Sequence, residues 1–184
     1  FLLLYVPDPG RSIDDARQAY MAQDLASFDK YVDVQSVLDS GIDQFVDFYI
    51  QNHHVDHPTI YKMLIDGGKR VYLPQLSQSV EQLVVTGNIQ SLPSWVTDNA
   101  TMSQVTSSIS KVLHDLARSQ LVYLGVRTVA ISGKTAGLDI EVGQRSGGSP
   151  VLVSLRMQRV GFHWRITAID NIPSVITQLG IQIP

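Results

Sequence analysis

Three kinds of residue in this chain have the types and spacing for chemistry. His53-His54-Val55-Asp56-His57 puts three imidazoles and a carboxylate within five residues, a donor set suited to zinc, nickel or copper. His53 and His57 also have helical i, i+4 spacing. The run lies between a helix end and Pro58, however, which breaks the regular geometry such a pair needs. No glutamate stands where an H-E-x-x-H site keeps its general base. Polar loop imidazoles, favoured near a negative helix C-terminus, are the simpler account, and no metal ligand is assigned. Gly133-Lys134-Thr135 looks like the end of a phosphate-binding loop, but Thr128 occupies the position where that loop requires glycine. The tripeptide also sits between two strands, with no helix N-terminus to hold a phosphate. It reads as a hairpin turn.

The carboxylates and rings are the second and third kinds. Asp139 and Glu141 share one strand face, and Arg156 and Arg165 should project from neighbouring strands. A cross-strand charge ladder is expected, each exposed pair contributing about 0.2–1 kcal/mol. Nucleophile motifs are absent: there is no G-x-S-x-G, no cysteine and no ordering of Ser, His and Asp that proposes a triad. His114 reads as an exposed helix residue and His163 as a turn residue. No catalytic residue is assigned. Among the aromatics, Phe28, Phe45 and Phe48 read as core. A curved sheet closing on helices can leave a ring-lined cavity, and Tyr20, Tyr49, Tyr123 and Trp164 are the candidate ligand-binding residues for one.

Composition narrows the classes. At 184 residues with 44% hydrophobic and 17% charged side chains, the chain is long enough for one ordinary domain and too apolar for a disordered tail. Fourteen basic against seventeen acidic residues, a net charge of −3 with no basic block, argue against nucleic acid as a partner. Without cysteine there is no disulfide framework, zinc-thiolate site or iron–sulfur cluster, and no cofactor is expected. Phe1–Val6 is apolar but far short of the roughly 20 residues that span a bilayer. It fits the stump of a signal anchor, a membrane tether, or equally a short arm over the core. Residues 1–11 are therefore set apart from a single domain at 12–184.

The elements that must position these residues follow from periodicity. From Ser12 to about Gln120 the apolar period is helical. Ser12-Ile13-Asp14-Asp15 reads as a helix start with Ser12 as cap; Asp24 restarts the chain, and Val34 to Tyr49 form an apolar stripe interrupted by Gly41. Pro58 opens a further helix that Asp66-Gly67-Gly68 is expected to stop. A separate short helix over Leu76–Val84 then ends at Gly87-Asn88. Residues 89–99, with Pro93 and Trp95, read as loop; Asn99-Ala100-Thr101 matches a glycosylation acceptor by chance. Val105 to Leu116 is the cleanest helical stripe. After Gln120 the period becomes two. Four strands with tight turns predict an antiparallel meander whose drier face is covered by the preceding helices. The fold class is α+β: N-terminal helices packed on a curved C-terminal antiparallel sheet of about four strands.

Two stretches carry a family outline: Ala19-Tyr20-Met21-Ala22-Gln23-Asp24-Leu25-Ala26-Ser27-Phe28-Asp29-Lys30-Tyr31-Val32-Asp33 and Phe162-His163-Trp164-Arg165-Ile166-Thr167-Ala168-Ile169. With them the chain resembles the nuclear-transport-factor-like (cystatin-like α+β cone) superfamily. Within it, the chain is most similar to an uncharacterised bacterial family of envelope-anchored proteins of unknown function. The likeness spans about the first 35 and last 65 residues. It implies an α+β cone at the cell envelope, on its periplasmic or extracytoplasmic face; without an anchor the place would be cytoplasmic. The superfamily holds isomerases, dehydratases and non-catalytic modules alike. The expectation is a non-enzymatic binding module for a small apolar ligand or a protein partner. The alternatives are an isomerase- or dehydratase-like enzyme with a cavity acid–base pair, and an interaction domain with a filled cone.

Overall fold

A computed structural model describes residues 8–88, 100–145 and 147–183. The first helix, α1 (Pro9–Met21), begins earlier than Ser12, because the Asp8 carboxylate accepts the Gly10 N–H at 3.1 Å and Pro9 supplies the preset φ of the first turn. Ser12 is therefore not the cap. It lies inside the helix with its hydroxyl buried, a first sign that it has a partner elsewhere in the chain. Helix α2 (Leu25–Tyr31) is capped by Asp24, which accepts from the Ser27 N–H at 3.0 Å. Helix α3 (Val34–His53) is capped in the same way by Asp33 through Ser36. Gly41 does not interrupt α3. A Cβ there would stand 2.9 Å from the Ile172 side chain, so the glycine permits a close approach.

Helix α4 (Pro58–Thr86) opens on Pro58 as expected, but it runs unbroken through Asp66-Gly67-Gly68 and through Pro74. The expected stop and second helix are one 29-residue element. Local glycine signals cost about 1 kcal/mol each in a helix interior. Here they are outweighed by Tyr61, Ile65, Tyr72 and Leu76, which bury one face on both sides of the glycines. Ion pairs from Lys69 to Asp39 and Asp43 of α3 hold the same region. The helix ends where expected, at Gly87 in the left-handed region (φ 67°), whose N–H donates to Leu83 O at 2.8 Å. Helix α5 (Ala100–Arg118) contains the predicted stripe. The loop reading of 89–99 and the Asn99 acceptor lie outside the described residues.

Four strands follow: β1 (Leu121–Ser132), β2 (Thr135–Gln144), β3 (Val151–Val160) and β4 (His163–Ile169), then α6 (Ile172–Gln178). They form an antiparallel meander in the order β1-β2-β3-β4, so the fold is α+β as expected. The Gly133-Lys134 turn joins β1 to β2. Ala136, Leu138, Val142, Val151, Leu155, Met157, Trp164 and Ala168 are buried, the alternation that period two predicts. Register shifts between β1 and β2 and between β3 and β4 mark bulges, with the extra residues on β1 and β4, and bulges bend strands.

Two buried clusters fill the interior. One joins Ile13 of α1 to Leu138, Leu155, Met157 and Trp164 of the sheet. The other joins α3, α4, α5 and α6 around Phe45, Tyr49, Ile65, Leu76, Val112 and Ile176. Between them, helices stitch the backbone of β4. Ser12 Oγ accepts the Trp164 N–H at 3.1 Å, the Asp33 N–H donates to Ile166 O at 2.9 Å, and Gln44 Nε2 donates to Ile169 O at 2.5 Å.

Removing the Ser12 hydroxyl strands a buried N–H. Ser12→Ala is expected to cost about 1–3 kcal/mol, and Trp164→Ala about 3–5 kcal/mol. Urea unfolding should show both as lower midpoints, with m unchanged for Ser12→Ala.

Candidate functional site

The four candidate aromatic residues do not converge. Trp164 is 0% exposed and sits in the sheet-side cluster beside Met157. Tyr123, at the rim of that cluster, lies under Arg17, whose guanidinium carbon is 5.3 Å from the ring centroid. Burial and nearby Asp14 raise its phenol's pKa, against the pull of Arg17. Tyr20 is largely exposed at the end of α1, with its ring tilted against Phe28 at 6.4 Å. Tyr49 alone belongs to the helical cluster. Only Trp164 and Tyr49 are fully buried, and they lie in different clusters, so the four rings share no cavity.

What α3 and α4 build instead is a column of three rings. Tyr49 stacks with His53, centroids 4.0 Å apart and planes 12° off parallel, and with Tyr61, at 5.9 Å and 8°. The spacing of Tyr49 and His53 is i, i+4, so one helical face brings them together. Tyr61 comes from the next helix, and no feature of the sequence pairs it with them. His53 Nδ1 lies 3.1 Å from Tyr49 O. A carbonyl can only accept, so the contact is a hydrogen bond when Nδ1 carries the proton; in the neutral ring that leaves Nε2 as an acceptor. The Tyr61 hydroxyl is buried close to the Tyr49 phenol but forms no hydrogen bond of normal geometry among the described residues. Burial, followed by the neighbouring Tyr49 phenol, holds its pKa well above the usual tyrosine range. Tyr72, about three turns further along the same face of α4, donates to Ile65 O at 2.8 Å, and burial raises its phenol too. These phenols are neutral at any physiological pH. They can donate hydrogen bonds but cannot act as bases.

The column opens on a groove of about 410 Å³ between the end of α3 and the chain after α6, lined by Phe48, Asn52, His53, Ile176, Ile181 and Ile183 among others. On the other side of Gly180–Gln182 lies a more polar groove of about 450 Å³, lined by Lys111, Asp115, Gln120 and Gln144 among others. Lys111 crosses it, bonding Asp115 at 3.1 Å and Gln182 O at 2.8 Å. Neither groove is lined by Tyr20, Tyr49, Tyr123 or Trp164.

The remaining candidates also separate. His54 is the left-handed C-cap of α3 (φ 50°), and His57 occupies the cap position of α4. The run therefore spans a change of direction between two helices. No group of three or more metal-binding side chains forms among the described residues. The expected ladder of Asp139 and Glu141 with Arg156 and Arg165 is not formed. Asp139 accepts from Thr128 at 2.6 Å and Ser154 at 2.7 Å, Glu141 pairs with Arg127 at 3.5 Å, Arg156 takes Asp170 through two bonds, and Arg165 lies 3.6 Å from Asp33. Register explains the difference: Asp139 stands directly opposite Thr128 and Ser154. The Thr128 and Ser154 hydroxyls stabilise its charge and lower its pKa. It is an ionised, well-solvated carboxylate, the reverse of a cavity base. His114 is exposed beside Asp115, as expected. His163 packs edge-on against Tyr31 at 5.6 Å.

Comparison with protein-family models, with curated proteins and with solved structures finds no match to this chain.

The ring column generates a prediction with a definite sign. Because the folded phenol of Tyr61 titrates above its unfolded value of about 10, the folded state keeps a proton that the unfolded state loses. Stability is therefore full below about pH 10 and declines as pH rises beyond it. Tyr61→Phe removes a buried hydroxyl whose polar neighbour, the Tyr49 phenol, is poorly placed for a bond, so it should change stability at pH 7 by less than about 1 kcal/mol. It should also make the alkaline decline shallower. Urea midpoints at pH 7 and pH 11 test both statements.

Proposed function

We propose that this α+β domain is a non-enzymatic binding module that meets a protein partner on its surface, within the nuclear-transport-factor-like outline its sequence resembles. The observation that carries the reading is the filling of the space between α1 and the sheet. Trp164 and Met157 are both 0% exposed there. Ile13 and Leu138 pack against them in the same cluster. A filled interior favours recognition from outside over capture of a small apolar ligand within.

An isomerase or dehydratase of this outline would need a desolvated carboxylate facing a proton donor. Asp139, the carboxylate on the sheet, has its pKa lowered by the Thr128 and Ser154 hydroxyls, the opposite of what such a base needs. The buried phenols lie in the helical cluster, away from that strand. Placement at the cell envelope rests on the resemblance alone. Among the described residues, no helix is long and apolar enough to cross a membrane.

The test uses Trp164 as its own reporter. In a Trp95→Phe background, Trp164 emission should be blue and insensitive to acrylamide. Titration with a long-chain fatty acid or an anilinonaphthalene dye should leave it unchanged, and native mass spectrometry should show no adduct. Saturable one-to-one binding that shifts this emission would replace the reading with that of an internal-ligand carrier.

A further inference from the structure

Helix α4 is apolar on two opposite faces. One, carrying Tyr61, Ile65, Tyr72 and Leu76, is buried in the helical cluster. The other carries Ile60, Met63, Leu64 and Val71, which are 57, 69, 39 and 67% exposed, with Gly67 and Pro74 on the same stripe. Offsets of three, four, seven, eleven and fourteen residues put these six on one side of the helix. A surface helix ordinarily has one apolar face, and contiguous exposed apolar side chains mark interaction sites. Gly67 sits at the middle of the stripe. A Cβ there would meet nothing within 4 Å, so no contact within the chain calls for a glycine at this position, although it weakens a helix interior by about 1 kcal/mol. What glycine does permit is close approach of another backbone from outside.

We infer that the outer face of α4 docks a second copy of this chain, the two α4 helices packing antiparallel about a two-fold axis at Gly67-Gly68. Charge complementarity selects this occupant and this direction. Asp66 and Arg70 lie on one flank of the stripe, one on each side of the axis. In an antiparallel pair related by that axis, like flanks meet, and residues whose numbers sum to about twice 67.5 stand level. Arg70 of each copy then faces Asp66 of the other, giving two reciprocal ion pairs. The same operation sets Met63 against Val71 and Ile60 near Pro74 across the axis, an isologous apolar seam. A parallel pair would turn Arg70 toward the flank of Leu64 and Gln75, with no acid opposite. Both charges are available: Asp66 is 66% exposed and 3.9 Å from Lys69, which is held more closely by Asp39 and Asp43. Arg70 is exposed and has no ion-pair partner among the described residues. This inference goes beyond the surface-binding reading and does not depend on it, since a filled interior neither requires nor forbids self-association.

The experiment is sedimentation equilibrium of the whole chain over a wide concentration range, combined with charge exchange and cross-linking. The wild type should show a concentration-dependent monomer–dimer equilibrium. Arg70→Asp should weaken it about 3–30-fold, the loss of two exposed pairs. Asp66→Arg with Arg70→Asp should restore the dimer to within about threefold, by re-forming both pairs in reverse. The chain has no cysteine, so Gly67→Cys provides a single thiol next to the axis and should form an oxidised dimer. Phe162→Cys, on the exposed β3–β4 turn, should not. Circular dichroism of each variant checks that it is folded. A monomer at every concentration, a double variant as weak as Arg70→Asp, or equal cross-linking of the two cysteine variants would each overturn the proposal.

Discussion

The positions of α1, α3 and α6 relative to the sheet depend on how the outer edge of β4 is closed. An edge strand presents backbone donors and acceptors that need partners or water. In β4 the partners come from three points spread through the helical half. Ser12 of α1 accepts from Trp164, Asp33 at the α2–α3 junction donates to Ile166, and Gln44 of α3 donates to Ile169. Gln44 also accepts the Ile172 N–H at 3.2 Å and so fixes the start of α6. One strand thus sets the place of α1, α3 and α6 together. With α1 held there, Ile13 packs onto the sheet against Trp164, and the interior closes around that ring.

This arrangement explains which parts of the fold were legible in the sequence. Period two in β2 to β4 and the helical stripes of α3 and α5 are local patterns that burial enforces directly, and they gave the order of the strands and the buried faces. The junctions were not local. Ser12 has the type and spacing of a cap, yet Asp8 takes that role and frees the Ser12 hydroxyl for a strand more than 150 residues away. Gly67-Gly68 has the signature of a helix end, yet the cost of two glycines is small against the apolar side chains buried on both sides of them. Tertiary burial overrides such signals without leaving a trace in the neighbouring residues.

The candidate site was less legible than the fold for a related reason. A ring on an inward face reports that it is buried, not what it faces. Tyr49 and Trp164 are buried in different clusters, Tyr123 lies at the rim of the sheet-side one, and Tyr20 is exposed at a helix end. The charge partners failed for want of register. Same-face spacing placed Asp139 and Glu141 together correctly, but only the strand pairing, with its bulge between Val126 and Thr128, decides that hydroxyls stand opposite Asp139. The i, i+4 pair of Tyr49 and His53 is the one element of the ring column that spacing alone carries.

The two edges of the sheet are managed in opposite ways, and the contrast bears on where partners are met. The β4 edge is occupied by the chain itself. The β1 edge has no strand beside it among the described residues, but it is poorly suited to pairing. Two register irregularities disturb it, Gly125 adopts a φ of 148°, and Arg127 interrupts an otherwise apolar run. Bulges and an edge charge are the devices that discourage strand addition. Leu124 also folds back over its neighbour strand, reaching within 3.2 Å of where a Cβ of Gly143 would stand. The midline of the outer α4 stripe has no comparable device: between Ile60 and Val71 its charges lie on the flanks and its centre is a glycine. A helix face that is apolar at its centre and charged at its margin has the anatomy of an interface. The guarded edge of the sheet and the open face of α4 therefore point the same way, to association through the helical half of the molecule.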